Sequence, residues 1–142
     1  MPWCSELDII KYFEGATIFM IDNPHTGMMK SRPCMAGMSP YLRVISYCKF
    51  GTSYCKKTSI WSNLYEHWKP SPACCKAYPC EFLVDGRHTQ WAQRGPGKDG
   101  GVRRVTSSDK HSLAQLYEIP FILCDELAAA TISAISARSS VE

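Results

Sequence analysis

The chain has 142 residues, of which 45% are hydrophobic and 20% charged, a balance typical of a folded domain and not of a disordered chain. The formal net charge of +3 permits an acidic partner such as nucleic acid but does not require one. No apolar run approaches the roughly 18 residues of a membrane-spanning helix, and the acidic first ten residues do not resemble a secretion signal.

These observations predict an intracellular protein of the cytoplasm or nucleus that is not secreted and has no membrane partner. In that environment the eight cysteines are expected to be thiols or metal ligands and not disulfides. We expect one domain over residues 1–142, with a partial α/β sheet over 1–63, a Cys/His-rich insertion over 64–109 and a C-terminal helical segment over 110–137.

The first half of the chain predicts a helix and three strands. Apolar residues at helical spacing over 6–14 indicate the helix, and the short apolar run 17–21 is typical of a buried strand. Polar turn residues follow this run at 22–27, where substrate-contacting groups of α/β sheets are often found. The alternative is that Asp22 and Asn23 only satisfy the backbone of the turn. Residues 41–47 and 58–61, rich in β-branched and aromatic side chains, predict two more strands around a basic loop.

The second half has little periodicity until the C-terminus. Residues 64–109 are rich in proline, cysteine, histidine and glycine, which predicts a long loop held by contacts and not by regular structure. From 121 to 137 the pattern returns to a helix after Pro120, with a core face that we expect to include Ile122, Leu123, Leu127, Ile132 and Ile135.

A metal site is predicted within the Cys/His-rich insertion. Cys75, Cys80 and His88 follow one another with four and seven intervening residues, and a tetrahedral zinc site needs a fourth ligand. Cys48 is our choice for it, with Cys74 and Cys55 as substitutes. The alternative is a set of ordinary reduced thiols near an unrelated histidine. The remaining cysteines, Cys4, Cys34 and Cys124, are expected to act as small hydrophobic residues.

Several motifs occur in the order known from one enzyme family. Asp-Asn-Pro-x-x-Gly stands at 22–27, Tyr-Cys-Lys-Phe-Gly at 47–51 and Lys-Thr-Ser-Ile-Trp-Ser-Asn at 57–63. Cys75, Cys80, Gly86 and His88 follow, then Ala-Gln-Arg-Gly at 92–95 and Leu-Tyr-x-Ile-Pro at 116–120. In this order the chain resembles the C-terminal half of Dcm-like DNA cytosine-5 methyltransferases of phages, algae and protists, over roughly residues 17–127.

The resemblance implies a partial Rossmann-like methyltransferase sheet and methyl transfer from S-adenosylmethionine to cytosine in DNA. Asp22 and Asn23 would match the family's Glu-Asn element, whose acid binds the flipped cytosine. Lys56, Lys57 and Thr58 would match a basic element beside it, and Arg94 would contact nucleic acid. Asp22 is one methylene shorter than the family's glutamate, and Cys55 stands where many members have arginine.

Two family motifs are missing ahead of Asp22: the Phe-x-Gly-x-Gly turn that binds the cofactor and the Pro-Cys nucleophile. We therefore expect no activity from this chain alone. Either it is a fragment or split gene product that needs a complementary N-terminal methyltransferase half as its partner, or it is a decayed copy. The rival hypothesis is a zinc-stabilised nucleic-acid-binding module without catalysis. In that case the cations would contact phosphate and the tryptophans would stack on bases: Lys56, Lys57, Arg87, Arg94, Arg103 and Arg104, with Trp61, Trp68 and Trp91. The alternative for these residues is a solvated basic face and ordinary core tryptophans.

Overall fold

The computed structural model describes residues 11, 15, 17–64, 66–88, 95–96, 102–103 and 117–140. The helix predicted over 6–14 lies almost wholly outside these residues. The chain divides into two compact units, each built from separated segments. Unit 1 comprises Met1–Val44, Thr58–Pro70 and Glu126–Glu142, and unit 2 comprises Ile45–Lys57 and Ser71–Asp125.

The largest sheet has three strands, β1 (Met20–Pro24), β2 (Leu42–Ser46) and β3 (Lys57–Ser62), in the order β1-β3-β2. β1 and β3 run antiparallel, with Met20 opposite Ser62 and Pro24 opposite Thr58. The strands predicted at 41–47 and 58–61 are thus confirmed as β2 and β3. Together with the hairpins and helix below, they make a mixed α/β fold. The Rossmann-like sheet that the resemblance implies has no counterpart among the described strands.

Strand β1 begins three residues later than predicted, because the backbone of residues 17–19 is hydrogen-bonded to a side chain. Phe19 N donates to Asn63 Oδ1 at 3.1 Å, and Asn63 Nδ2 donates to the Thr17 carbonyl at 2.8 Å. The asparagine amide presents one donor and one acceptor, as a neighbouring strand would. In consequence Asp22 and Asn23 lie within β1 and not in a turn after it, which corrects the expectation drawn from the sequence.

The core of unit 1 is built around Trp61, which is buried on β3. It packs with Met35 and Met38 from a methionine-rich segment that forms two 3₁₀ helices, Met28–Ser31 and Pro33–Tyr41. Flexible thioethers fill irregular space beside a large indole well. Methionines are therefore the means by which this irregular segment contributes to the core.

Unit 2 contains two short hairpins in the segment predicted to be a loop. β4 (Leu83–Val84) pairs with β5 (Arg87–His88), and β6 (Gly95–Pro96) pairs with β7 (Val102–Arg103), both antiparallel. Asp85 and Gly86 connect β4 to β5 with φ of 50° and 72°. Asp-Gly is a strong hairpin-turn pair because both positions tolerate this left-handed backbone.

The C-terminal helix, α1, runs over Phe121–Ser139 and confirms the predicted helix. Its buried residues follow a spacing of four, three and four: Leu123, Leu127, Ala130 and Ala134. The predicted core face was wrong for three isoleucines, Ile122, Ile132 and Ile135, which are at least half exposed. At 100° per residue they lie away from the stripe that includes Leu127. No helix in the described part of the chain combines the length and hydropathy needed to cross a membrane.

Candidate metal centre

Four potential metal ligands converge within unit 2: Cys48, Cys74, Cys80 and His88. Their donor atoms all lie within 4.8 Å of one another. Cys48 and Cys74 are buried, while Cys80 and His88 are partly exposed. Three segments that are separate in the sequence contribute to this group, so its assembly depends on the tertiary structure of the unit.

Cys48 is positioned by a short 3₁₀ helix, Tyr47–Phe50. The helix begins where Tyr47 N donates to the Lys56 carbonyl at 3.0 Å, and it ends at Gly51 with φ of 86°. A left-handed residue at a helix end favours glycine because it has no Cβ. The Tyr-Cys-Lys-Phe-Gly motif therefore forms a compact turn that directs the Cys48 thiol inward.

Cys74 and Cys80 flank a small closed loop. Cys75 and Tyr78 exchange two backbone hydrogen bonds, Cys75 N to the Tyr78 carbonyl at 3.2 Å and Tyr78 N to the Cys75 carbonyl at 3.1 Å. Cys74 N donates to the buried Ser46 hydroxyl at 3.0 Å, which ties the start of the loop to the end of β2. These bonds bring two thiols six residues apart to one side of the loop.

His88 reaches the thiols from β5, where it stands opposite Leu83. Its Nε2 lies 3.3 Å from Cys74 Sγ and 3.6 Å from Cys80 Sγ. The Asp85-Gly86 turn sets the register of the hairpin and hence the position of this imidazole. That dipeptide is the sequence feature from which β4 and β5 could have been predicted.

The spacing of the donors fits zinc. Zinc bonds of about 2.3 Å to sulfur and 2.0–2.1 Å to nitrogen place tetrahedral ligand atoms about 3.6–3.8 Å apart. The two His88 distances, 3.3 and 3.6 Å, are close to that value. The 4.8 Å limit on the remaining separations requires a contraction of about 1 Å at most. Thiolate and imidazole donors also favour zinc over hard cations, which prefer oxygen ligands.

Burial and a contact between thiols shift the pKa values of three of the four donors. Burial lowers the pKa of His88 below its ordinary 6.5, which favours the neutral imidazole that can bind a metal. Burial is also the main cause of the raised pKa of Cys74. The pKa of Cys48 is raised mainly by a hydrogen bond with Cys55, and the same contact lowers the pKa of Cys55 to about 7. Without a cation the raised pKa values favour the neutral thiols of Cys48 and Cys74, and a bound cation would stabilise their thiolates.

One predicted ligand is replaced by its neighbour. Cys48, Cys80 and His88 are brought together as predicted, but Cys75 is exposed and the fourth donor is Cys74, which the sequence offered only as a substitute. The backbone of Cys75 takes part in the bonds that close the loop, and its side chain faces solvent. The other substitute, Cys55, is buried against Cys48 but is not one of the four.

Two other cysteines differ from the expectation of small buried residues. Cys34 is disulfide-bonded, so not every cysteine of this chain is a thiol. Cys124 is a free and exposed thiol on α1. Cys4 lies outside the described residues.

The residues expected at a cytosine pocket lie on β1, in unit 1. Asp22 is exposed and stands opposite Ile60, and Asn23 is partly exposed opposite Ser59. Sequence reasoning did not consider His25, whose Nδ1 lies 2.9 Å from Ser59 Oγ while its Nε2 lies 3.4 Å from Lys30 Nζ. An ammonium group only donates, so Nε2 accepts and Nδ1–H donates to the serine.

The residues predicted to contact nucleic acid differ in their exposure to solvent. Lys57 is exposed, whereas Lys56 lies with its Nζ 4.6 Å from the centre of the Tyr47 ring, in cation–π geometry. Thr58 is fully buried, which corrects its assignment as a contact residue. Arg94 lies outside the described residues.

The tryptophans expected to stack on bases are core residues where they are described. Trp61 and Trp68 are only 2% and 4% exposed, and Trp68 Nε1 donates to Glu126 Oε2 at 3.3 Å. Neither ring has a face available for a base. This removes one argument for a single-stranded nucleic-acid platform. Trp91 lies outside the described residues.

Comparisons with known proteins find no counterpart for this chain. No protein-family model, no curated protein and no solved structure matches it. The metal centre is therefore the feature on which a functional assignment can be built.

Proposed function

We propose that the chain binds one zinc ion through Cys48, Cys74, Cys80 and His88, and that this ion stabilises the Cys/His-rich insertion. The observation that carries the proposal is the convergence of three thiols and one imidazole, all within 4.8 Å of one another. Four protein ligands complete a tetrahedron and leave no open position for substrate, so the ion is structural and not catalytic.

The composition of the side-chain cluster around the centre is a reason for a metal to stabilise it. The buried residues of the cluster around the centre are themselves cysteines, Cys48, Cys55 and Cys74, with Phe82 and Leu83 packed against them. So few large apolar side chains contribute little hydrophobic stabilisation. A structural zinc ion contributes on the order of 10 kcal/mol or more, which offsets the cost of ordering such a segment.

Cys74 and Cys75 provide a matched test of the site. If four ligands share about 10–16 kcal/mol, loss of one weakens zinc binding by about 3 kcal/mol, or about a hundredfold. Cys74→Ala is therefore expected to lose stoichiometric zinc in the presence of a competing chelator, while the adjacent Cys75→Ala keeps it. Elemental analysis of the purified full chain measures both. A wild-type chain without stoichiometric zinc, or equal zinc contents in the two variants, would contradict the proposal.

We further propose that this zinc-stabilised module acts in DNA cytosine-5 methylation as the C-terminal part of a methyltransferase. The support is the order of its motifs, from Asp-Asn-Pro at 22–24 to Ile-Pro at 119–120. In this role S-adenosylmethionine would be bound by a complementary N-terminal half, whose strands would extend the sheet into the Rossmann-like form. DNA would be the substrate, with Asp22 and Asn23 facing the target cytosine.

A methyl-transfer assay tests this role. We expect no transfer of labelled methyl from S-adenosylmethionine to DNA by the chain alone and measurable transfer once a half carrying Phe-x-Gly-x-Gly and Pro-Cys is added. Asp22→Ala, which changes an exposed residue, is expected to abolish the restored activity without unfolding the chain. Activity of the isolated chain, or restored activity that Asp22→Ala leaves unchanged, would refute it.

The exposed position of Lys57 keeps DNA binding without catalysis as the second candidate. Such binding depends on phosphate contacts, so it weakens steeply with added salt and does not distinguish cytosine-bearing sites. A titration of duplexes with and without a target cytosine, at several salt concentrations, separates the two roles. Sequence-independent, salt-sensitive binding favours the module, and a preference for cytosine-bearing sites favours the methyltransferase part.

A further inference from the structure

We propose that Cys48 and Cys55 form an oxidation-sensitive dithiol, whose closure to a disulfide withdraws Cys48 from the metal and releases the ion. This inference rests on the proposed zinc site and adds a means of regulating it. Cys55 is the thiol to examine because it is buried beside the centre yet is not one of the four converging donors.

The backbone brings these two cysteines close to each other. The hydrogen bond from Tyr47 N to the Lys56 carbonyl, 3.0 Å long, joins the two arms of the loop, and Cys48 and Cys55 are the next residue inward on each arm. Cys48 and Cys55 pack in one cluster of buried residues, and a disulfide needs Cα atoms about 4.4–6.8 Å apart. The two side chains are neighbours within this cluster, so the sulfur atoms can approach each other without unfolding of the unit.

The same contact makes Cys48 the ligand that is most easily withdrawn. Cys74 and Cys80 also touch one another, but both are held by the ion when zinc is bound. Cys55 is held by no metal bond, so it can change its chemistry while the centre is still occupied. The oxidised Cys55 sulfur then competes directly with zinc for a bond to the Cys48 sulfur.

Hydrogen peroxide is a sufficient oxidant for this step. The Cys55 sulfur attacks one peroxide oxygen, the O–O bond breaks, and a sulfenic acid and water result. The Cys48 sulfur then attacks the sulfenic sulfur, the S–S bond forms, and hydroxide leaves and takes up a proton to become water. In total one thiol, Cys55, and one zinc-bound thiolate, Cys48, lose two electrons and one proton. The hydroxide takes its proton from solvent, so one peroxide gives two waters, and the zinc ion keeps three ligands.

The experiment uses the full chain loaded with zinc and treated with hydrogen peroxide, with released zinc measured by a chromogenic chelator. Wild type is expected to release its zinc. Cys55→Ser and Cys55→Ala are expected to bind zinc as wild type does and to lose the peroxide-driven release. Cys124→Ser, which removes an exposed free thiol on α1, is the matched control and is expected to release zinc as wild type does.

The disulfide itself can be identified by mass. Trypsin cleaves after Arg43, Lys49 and Lys56, so blocking free thiols and digesting without reductant should yield residues 44–49 joined to residues 50–56. Reduction should separate the two peptides and restore zinc binding.

The possible failures are distinguishable. A wild-type chain that holds no zinc overturns the proposed site and this inference together. A chain that holds zinc but releases it equally fast with and without Cys55, or that forms a Cys74–Cys80 disulfide instead, overturns only the inference.

Discussion

Replacing Gly27 by alanine is expected to destabilise the turn that ends the Asp-Asn-Pro-x-x-Gly motif. Gly27 has φ of −69°, which any residue adopts, so the glycine is not required for its backbone angles. The requirement is one of space. A Cβ built at Gly27 overlaps Asn23 Oδ1 and lies 2.9 Å from the Pro24 carbonyl oxygen. The Asn23 side chain can rotate away, but the Pro24 carbonyl belongs to β1 and accepts from Gly27 N at 2.7 Å.

The magnitude follows from two opposing effects. Overpacking of this kind costs about 1–3 kcal/mol. Alanine also restricts the unfolded chain more than glycine does, which stabilises the folded state by about 0.4–1 kcal/mol. The net expectation is a free energy of unfolding lowered by about 1–2 kcal/mol for Gly27→Ala. Gly37→Ala is the control, since nothing lies within 4 Å of its Cβ, and it should raise the free energy of unfolding by up to about 1 kcal/mol.

Urea denaturation of the zinc-loaded chain measures both variants against wild type. The two changes should have opposite signs at unchanged m-values. A Gly27→Ala variant as stable as wild type would refute the steric argument. Combining it with Asn23→Ala identifies the obstacle: full recovery assigns the clash to the asparagine side chain, and persistent destabilisation assigns it to the Pro24 carbonyl.

Three further predictions concern burial, pH and metal. Thr58 Oγ1 is buried without a hydrogen-bond partner, so Thr58→Val should raise the free energy of unfolding by about 1 kcal/mol. Ser62→Ala removes the acceptor for Leu64 N and should lower the free energy of unfolding by about 1 kcal/mol in the same urea experiment. Because burial lowers the pKa of His88, the metal-free chain should keep the stability that neutral His88 contributes above about pH 6.5 and lose it as the pH falls below that value. In titrations with a chelator present, His88→Asn should flatten this pH dependence of the free energy of unfolding. Chelation should lower the melting temperature of wild type at neutral pH and leave that of Cys74→Ala unchanged, and an equal response of both would contradict the ligand assignment.

Local propensity was enough to predict β2, β3 and α1. Val44 and Ile45, like Ile60 and Trp61, are residues that fit a half-buried strand, and the sheet forms from them. Contacts with residues distant in the sequence decided what was mispredicted. The Asn63 side chain replaces a strand partner for residues 17–19, which is why β1 begins later, and no local pattern reports such a bond.

The metal site shows the same division. The types and order of its ligands could be predicted, since Cys48, Cys80 and His88 were expected and are found together. The choice between Cys74 and Cys75 could not be predicted, because adjacent residues in an irregular segment differ only in which side chain the loop turns inward. The exposed isoleucines of α1 were mispredicted because a helix with apolar residues on several faces does not reveal which face is covered.

The order β1-β3-β2 leaves β1 with a hydrogen-bonded neighbour on one side only among the described strands. Such an edge is a template to which a strand of another chain can add, and in an unprotected form it promotes aggregation. Asp22 places an exposed charge on this edge, and Pro24 lacks the N–H that a new strand would need. Two copies of the chain would therefore repel each other at β1, whereas a different chain with a basic strand could still extend the sheet there.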